Sequence, residues 1–483
     1  MLFNSFEFAI FFPLVVIGYF LLPPRFRWAF LLGASYYFYM CWKAEYLVLI
    51  VISTLIDYVA GLRMGKTTVR SRRKKYLMLS LVANLGILFT FKYANFFSES
   101  LRVALNQFNI FYDMPMFDLL LPVGISFYTF QSMSYTIDVY RGEQQPERHL
   151  GKFALYVAFF PQLVAGPIER SLRLLPQFDR VFKFDYERVV SGLRLMLWGF
   201  FKKLVIADRL AIYVNEAYNH PAEYQGLTLL LATYFFAIQI YCDFSGYSDI
   251  AIGAARVMGY DLMTNFRQPY FSKSISEFWR RWHISLSTWF RDYLYIPLGG
   301  NRVGKQRWYF NLFAVFVISG LWHGANWTFV VWGALHGGYL IFAIVTADWR
   351  QKLAHWSGLA KRPALHNLLR TLITFHLVLF AWIFFRANSL SEAFMIIGNM
   401  AALDFSLESL KSLNIALGWG ELLVAIGSIL FLELAHLLQS RGKVHSWITA
   451  RPAALRWSVY YLLLLAIAFF GVFNHSEFIY FQF

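Results

Sequence analysis

The sequence predicts an all-α, polytopic integral membrane protein with about 11 transmembrane helices of about 20 residues each. The first observation is composition: 58% of the residues are hydrophobic and only 15% are charged, against about 25% charged residues in soluble proteins. The second is that the apolar residues form stretches long enough to cross about 30 Å of hydrocarbon. No stretch shows the alternation of about ten residues that is typical of an outer-membrane barrel, so helices are expected.

The predicted spans cover most of the chain. They are Phe8–Leu22, Trp28–Trp42, Tyr46–Leu62, Tyr76–Phe97, Leu119–Tyr140, Val189–Ile206, Leu227–Ile252, the block 308–345, Leu365–Phe385, Leu422–Leu438 and Trp457–Phe473. The short stretch Phe153–Ile168 is interrupted by Pro161 and by Gly166-Pro167, which favours a re-entrant or broken helix. No repeat of about 20–50 residues marks a boundary, so one membrane domain over residues 1–483 is expected.

The first apolar stretch, Phe8–Leu22, has the length of a signal peptide. Glu7 precedes it, no basic residue does, and Pro23-Pro24 follows instead of small cleavage-site residues. We therefore expect this stretch to be retained.

The net charge of +16 is explained by topology. One short stretch holds seven basic residues and no acidic one: Arg63, Lys66, Arg70, Arg72, Arg73, Lys74 and Lys75. The positive-inside rule places this stretch in the cytoplasm, so both termini, including Phe473–Phe483, are expected outside. Contact with anionic membrane lipids accounts for the remaining excess, and no nucleic-acid partner is expected.

The stretch Ser274–Pro297 combines aromatic and charged residues. On a helix, its aromatic and apolar residues fall within an arc of about 100°: Trp279, Trp282, Leu286, Trp289, Phe290 and Tyr293. Arg280 and Arg281 lie off that arc, and His283 lies at its edge. This pattern predicts an amphipathic helix at the membrane interface. His283 either meets an anionic ligand from the cytoplasm or belongs to a bilayer anchor.

His323 lies inside the apolar block 308–345. An ionisable side chain at membrane depth is costly, so such residues usually line a cavity or take part in chemistry. The alternative is helix packing, because Gly320 and Gly324 form a GxxxG pattern that Gly333–Gly337 repeats. A neutral imidazole in this position is suited to general-base catalysis. His336 is expected in the core or behind the site.

Asp243 and Asp249 are two carboxylates six residues apart in an apolar segment. This spacing is too wide for a shared dyad, but both side chains can line one cavity. A role in helix packing or in a salt bridge to the Arg280–Arg281 region is an equal alternative.

Other common motifs are absent or incomplete. Gly299–Lys305 has the spacing of a phosphate-binding loop, but Gln306 replaces the Ser or Thr that would hold Mg²⁺. There is no GxSxG nucleophile elbow and no HExxH, so neither a serine hydrolase nor a metal site is predicted.

Longer motifs resemble a known family. They are Glu277–Ser287 (EFWRRWHISLS), Trp289–Tyr293 (WFRDY), Leu321–Gly324 (LWHG), Phe160–Arg170 (FPQLVAGPIER), Asp243–Asp249 (DFSGYSD) and Phe478–Phe483 (FIYFQF). They resemble the membrane-bound O-acyltransferase (MBOAT) family. The similarity is strongest to its bacterial branch, which contains alginate, peptidoglycan and cellulose O-acetylation subunits and the teichoic-acid D-alanylation protein.

The resemblance implies a helical bundle in the bacterial inner membrane, pierced by a tunnel, with His323 as the catalytic histidine. His283 matches the second motif histidine on the cytoplasmic side. The donor implied is acetyl-CoA, with no resident cofactor, and the acceptor is an extracytoplasmic polysaccharide reached through a periplasmic SGNH-type partner. Trp279, Arg280, Arg281 and Trp282 are expected near the donor, Trp322 or Asn326 near its acyl carbonyl, and Asp243 and Asp249 along the cavity.

Two alternatives stay open. The first keeps the enzyme class but changes the cargo to a D-alanyl group or a longer acyl chain, or the acceptor to a lipid. The second is a transporter in which His323 and Asp243 form a relay, although no inverted repeat is visible.

Overall fold

The computed structural model describes residues 1–111, 120–164, 166–404, 406, 412–440, 442, 451–473 and 478–479. Across these ranges the chain is helical, with no β-strand, which confirms the predicted fold class. In chain order the α-helices are Phe6–Leu21, Pro24–Met40, Leu47–Gly65, Arg70–Leu88, Ala94–Asn106, Ile125–Arg141, Leu150–Ala158, Phe160–Leu163, Ser171–Leu174, Tyr186–Phe200, Asp208–Asn219, Gly226–Met258, Ile275–Trp279, Ile284–Phe290, Lys305–His323, Trp327–Val345, Ala347–Trp356, Pro363–Arg386, Leu390–Met400, Trp419–Ser440 and Ala453–Phe470. Three π-helical segments, Phe89–Tyr93, Phe201–Ala207 and Arg291–Tyr295, continue neighbouring helices.

Seven helical stretches are long and apolar enough to cross a membrane. They are Ala44–Gly65, Arg70–Asn106, Gly226–Met258, Trp327–Val345, Pro363–Arg386, Trp419–Ser440 and Ala453–Phe470. The protein is therefore a multi-pass membrane protein. The other predicted spans also fall on helices, but these are shorter or less apolar, so the count of about 11 stays a prediction.

The block 308–345 forms two helices rather than one. The helix Lys305–His323 ends at Gly324, and the helix Trp327–Val345 begins after a short turn. Glycines allow the two helices to pack closely: a Cβ on Gly320 would lie 2.2 Å from the carbonyl oxygen of Phe329. A Cβ on Gly333 would lie 2.3 Å from the carbonyl oxygen of Phe316. The turn therefore places His323 at a helix end.

The chain forms two compact units. The first comprises Met1–Met196 and Ile250–Met263, and the second comprises Leu197–Asp249 and Thr264–Ile479. The long helix Gly226–Met258 contributes residues to both. The expectation of one domain over residues 1–483 stays a prediction.

A buried carboxylate joins three helices of the first unit. Asp57 is fully buried, and its oxygens accept hydrogen bonds from Ser80 Oγ (2.5 Å) and from Asn84 Nδ2 (3.0 and 2.9 Å). Ser132 Oγ also donates to this carboxylate, and Ser53 Oγ donates to Asn84 Oδ1 (2.6 Å). These residues link the helices Leu47–Gly65, Arg70–Leu88 and Ile125–Arg141. We call them the Asp57 cluster.

The predicted break within Phe153–Ile168 is confirmed. The helix Leu150–Ala158 ends before Phe159, and the short helix Phe160–Leu163 follows. The backbone N–H of Phe160 donates to Ser35 Oγ (3.1 Å), and these residues are buried within the first unit. An interrupted helix is tolerated where it is buried in protein. Ala165 lies outside the described residues.

Candidate active site

The second unit brings His283 and His323 together. Their ring centroids lie 6.5 Å apart, and their exposed fractions are 0% and 2%. Trp322 is buried beside both rings, 6.0 Å from His283 and 5.0 Å from His323. Two histidines 40 residues apart in the sequence thus share one buried aromatic environment.

The position of His323 follows from the turn between two packed helices. Gly324 is extended, and Asn326 caps the next helix because its Oδ1 accepts from the Thr328 N–H (3.0 Å). Asn326 Nδ2 donates to the carbonyl oxygen of Asn388 (2.9 Å), so the amide is engaged at both ends. Asn326 therefore holds the turn that follows His323.

Aromatic side chains form the walls around His323. The ring centroid of His323 lies 4.9 Å from that of Trp332 and 5.4 Å from that of Phe385, and both contacts are edge-on. Trp382 stacks on Trp332, with centroids 5.9 Å apart and an interplanar angle of 20°. These walls come from the helices Trp327–Val345 and Pro363–Arg386. His323 therefore faces a site of low polarity in which charge interactions are strong.

His283 lies at a break between two short helices. Its φ of 42° and ψ of 56° are left-handed, which costs a non-glycine residue about 1–2 kcal/mol. The backbone is held there because the Ile284 N–H donates to the carbonyl oxygen of Asn265 (2.9 Å). Such strained residues concentrate at functional sites. Burial lowers the pKa of the His283 imidazole to about 3, so the ring is neutral at physiological pH.

Comparisons with known proteins agree with this geometry. A family model described as MBOAT, membrane-bound O-acyltransferase family, matches residues 148–390. A probable alginate O-acetylase AlgI from Pseudomonas syringae pv. tomato is 42% identical over 448 residues, covering 92% of this chain and 84% of that protein. The chain belongs to the membrane-bound O-acyltransferase family. It is therefore an acyltransferase, and the matched region contains both histidines.

Other members of the MBOAT family are also similar to this chain. A peptidoglycan O-acetyltransferase from Helicobacter pylori is 34% identical, with an alignment that covers 100% of this chain and 98% of that protein. A teichoic acid D-alanyltransferase from Bacillus subtilis is 29% identical, covering 56% of this chain and 70% of that protein. The branch of the family predicted from the motifs is confirmed.

The stretch Ser274–Pro297 is not the single amphipathic helix that the sequence predicts. It forms two helices, Ile275–Trp279 and Ile284–Phe290. The residues between them are not helical, and the last of these, His283, has a left-handed backbone. Most of the aromatic face is buried against protein rather than presented outward: Trp279, Trp282, Leu286, Trp289 and Phe290 are all buried. The helical projection failed because it assumed a continuous helix.

The predicted donor-binding residues of this MBOAT protein separate into two groups. Trp282 is fully buried, stacked on Phe278 (5.5 Å) and packed against Trp382 (5.1 Å). Arg280 is exposed, whereas Arg281 pairs with Glu277 (2.6 Å). Arg280 is thus the member of this group most accessible to an anionic ligand.

Sequence reasoning underestimated the part of His336 in the site. Trp279 Nε1–H donates to His336 Nδ1 (3.2 Å), and the fully buried His336 ring lies 5.0 Å from the Trp332 ring. His336 therefore packs against Trp332, which itself contacts His323. The expected core position is confirmed. The four-residue spacing of Trp332 and His336 on one helix was the signal that linked them.

Asp243 and Asp249 pair with lysines, and the suggested salt bridge to the Arg280–Arg281 region is wrong. Lys203 Nζ lies 2.7 Å from Asp243 Oδ1 and 2.8 Å from Asp208 Oδ1. Lys202 Nζ donates to Asp249 Oδ2 (2.7 Å) and to Ser245 Oγ (2.8 Å). Both lysines lie on the π-helical segment Phe201–Ala207. Two adjacent lysines within an apolar span were the signal that sequence reasoning missed.

The described C-terminal residues reach the same region. The Ile479 N–H donates to Asp243 Oδ2 (2.8 Å), and Phe478 packs against Phe244 (5.6 Å). Phe244 in turn lies edge-on to the His283 ring, with centroids 4.6 Å apart. The rest of the resembling terminal motif, residues 480–483, lies outside the described residues, as do the residues 474–477 that precede it.

The described part of the chain contains no group of three His, Cys, Asp or Glu side chains placed to hold a metal ion. The site provides two buried imidazoles, aromatic walls and buried N–H groups. This set is suited to proton transfer and to hydrogen bonding of an uncharged group.

Proposed function

We propose that this protein is an inner-membrane O-acetyltransferase that takes acetyl groups from cytoplasmic acetyl-CoA for an extracytoplasmic polysaccharide. The observation that carries the proposal is the buried pair of His283 and His323, 6.5 Å apart, within the region matched by the MBOAT family. The names of two relatives, an alginate O-acetylase and a peptidoglycan O-acetyltransferase, support acetyl as the group and a polysaccharide as the final acceptor.

In the proposed reaction His323 is the general base. It takes the proton of an acceptor hydroxyl while the hydroxyl oxygen attacks the thioester carbonyl carbon. A C–O bond forms, and the carbonyl π electrons move to oxygen to give a tetrahedral oxyanion. The oxyanion then collapses, the C–S bond breaks, and the CoA thiolate leaves and receives the proton from the imidazolium. His323 returns to its neutral form.

His283 would support this reaction from the cytoplasmic side. Because the ring is neutral and fixed by its left-handed backbone, it can orient the donor by a hydrogen bond without adding charge. Trp279, Arg281 and Trp282 would shape the path around it, and the exposed Arg280 would meet the phosphates of CoA. Asp243 and Asp249 would act through their lysine pairs as scaffold.

The final acceptor would be an alginate-like exopolysaccharide, cellulose or peptidoglycan. The transfer to it would pass through a periplasmic SGNH-type partner, with both termini of this chain on the periplasmic side. Acetyl is favoured over D-alanyl cargo because the similarity to the acetyl-transferring relatives is 42% and 34%, against 29% to the D-alanyltransferase.

The test uses purified full-length protein in lipid nanodiscs with labelled acetyl-CoA. CoA release and acetyl transfer are measured with water, with polysaccharide oligomers and with the partner protein as acceptor. His323→Ala is expected to lower the rate by at least about 100-fold. His355→Ala, a change at an exposed histidine, is the matched control and keeps the wild-type rate. Equal turnover in wild type and His323→Ala with every acceptor overturns the proposal.

A further inference from the structure

Three buried N–H groups near His323 have no hydrogen-bond partner among the described residues. They are Trp332 Nε1, Trp382 Nε1 and His336 Nε2. All three side chains have an exposed fraction of 0%. Most buried donors in folded proteins are paired, and each exception requires an explanation.

The hydrogen bond from Trp279 makes His336 a donor. Trp279 Nε1–H donates to His336 Nδ1 (3.2 Å), so Nδ1 carries no proton. A neutral imidazole that accepts at Nδ1 carries its proton on Nε2. Trp279 thus fixes the tautomer, and Nε2–H becomes the third unpartnered donor.

The three donors belong to one cluster in contact with His323. The Trp332 ring lies 5.9 Å from Trp382, 5.0 Å from His336 and 4.9 Å from His323. Trp332 and His336 are four residues apart on one helix and share a face. Trp382 comes from the helix Pro363–Arg386. Trp332 therefore joins the other two donors to the histidine proposed as the general base.

We propose that the N–H groups of Trp332, Trp382 and His336 form a hydrogen-bond donor site for the thioester carbonyl of the acyl donor. This inference rests on the proposed function. The indole N–H groups of Trp332 and Trp382 hold the carbonyl oxygen and stabilise the negative charge that it gains when the hydroxyl attacks. His336 Nε2–H is the third donor to the same oxygen, from a ring that lies 5.0 Å from the Trp332 ring.

The chemistry of the donors selects this ligand. All three are neutral N–H groups, which suit an uncharged carbonyl, whereas a phosphate is normally bound by cationic side chains. An acceptor hydroxyl needs a base to receive its proton, and His323 already fills that role. N–H donors in a dry aromatic site bind most strongly when charge develops on the oxygen, because water does not compete there.

A binding experiment tests this without turnover. Two CoA analogues are compared by calorimetry on the full-length protein in nanodiscs. The first is a ketone in which a methylene replaces the thioester sulphur, so the carbonyl is kept. The second is S-ethyl-CoA, which lacks the carbonyl. Wild type is expected to bind the ketone about tenfold more tightly.

Trp→Phe variants separate the N–H group from the ring. Trp332→Phe and Trp382→Phe keep the aromatic wall, and each is expected to lose the preference for the ketone. The same variants are expected to lower kcat about 100-fold and to raise KM for acetyl-CoA by no more than about tenfold, because the donors act mainly on the oxyanion. Trp308→Phe is the matched control, since its Nε1–H donates to Tyr295 Oη (2.9 Å) away from this cluster.

The outcomes also separate this inference from the proposed function. If His323-dependent turnover is found but both Trp→Phe variants keep the ketone preference and kcat, the donor site is wrong and the proposed function stands. If wild type binds neither analogue and shows no His323-dependent turnover, the proposed function fails first. Loss of the preference in the Trp308→Phe control as well also overturns the donor site, because the effect is then not local.

Discussion

Two buried polar clusters, one in each compact unit, differ in how far their hydrogen bonds are satisfied. In the first unit, the Asp57 cluster satisfies its carboxylate with donors from Ser80, Asn84 and Ser132. In the second unit, Trp332, Trp382 and His336 keep N–H groups that have no partner among the described residues. A satisfied network stabilises the helices that contribute to it. Unsatisfied donors cost stability in the free protein and become useful when a ligand supplies the acceptor.

This contrast distinguishes structural polarity from functional polarity inside a membrane protein. A carboxylate within a membrane span usually indicates a functional residue, so Asp57 would be expected to have a functional role. Its hydrogen bonds indicate instead that it fastens three helices. His323 is also buried, but the ring of Trp332, whose N–H has no partner among the described residues, lies 4.9 Å from it. The family model also covers His323.

The largest expected effect is on stability in the first unit. Asp57→Ala removes an acceptor that three neighbouring side chains share in a buried site, and Ser132 Oγ loses the acceptor that it uses. We expect unfolding free energy to fall by about 3 kcal/mol or more, because each lost partner costs about 1–3 kcal/mol. Thermal unfolding in nanodiscs measures this. The kcat of the folded fraction stays at the wild-type value, and an unchanged melting temperature would show that the cluster does not hold the helices.

The next effect is acid sensitivity caused by His283. The pKa of this buried imidazole is about 3 in the folded protein, against about 6.5 in the unfolded chain. Between these values only the unfolded chain binds the proton, so stability falls as pH falls. The expected loss between pH 7 and pH 5 is about 2 kcal/mol.

The matched variant for this effect is His283→Asn, since asparagine tolerates the left-handed backbone. Its melting temperature should fall less between pH 7 and pH 5 than that of wild type. Equal acid shifts in the two proteins would contradict the assignment to His283. The turnover rate of His283→Asn is expected to fall. A wild-type rate in this variant would show that His283 has only a structural role.

The backbone of His283 gives a smaller effect. A β-branched residue is strongly disfavoured at φ 42°, so His283→Ile should be less stable than His283→Asn by about 1–2 kcal/mol. The difference in melting temperature between these two variants measures the strain alone, because both lack the imidazole. Equal melting temperatures would mean that the local backbone relaxes without cost.

Much of the fold was predictable because apolar length and charge distribution dominate membrane folding. The predicted spans fall on helices wherever the structure describes them, and the break after Ala158 followed from Pro161. The sequence also contains signals for the division of the block 308–345 into two helices, because Gly324 ends one helix and Asn326 caps the next. Hydropathy alone does not detect this, because the turn lies between two apolar runs.

The site was predictable only where sequence patterns identified single residues. His323 was found as an ionisable residue in an apolar block and His283 from the helical projection, the family motifs then assigned both a role, and the structure places them together. The left-handed backbone of His283 could not be predicted, since it depends on contacts with Asn265 that only the folded chain provides. The unpartnered donors of Trp332 and Trp382 were equally hidden. Whether an indole N–H is satisfied depends on its tertiary neighbours and not on sequence.

The smallest effect tests the contrast between the two clusters, because one buried donor is removed from each. Ser132→Ala removes a donor that the Asp57 carboxylate uses, and it should cost about 1–2 kcal/mol. Trp332→Phe removes a donor without a described partner, so in the absence of ligand its cost is that of the cavity left by the smaller ring. Thermal unfolding with and without the ketone analogue of acetyl-CoA separates the two donors, because a bound ligand raises the melting temperature in proportion to its affinity. The analogue should raise the melting temperature of Ser132→Ala as much as that of wild type, and that of Trp332→Phe by less. Equal shifts in the two variants would mean that the Trp332 N–H does not meet the carbonyl oxygen.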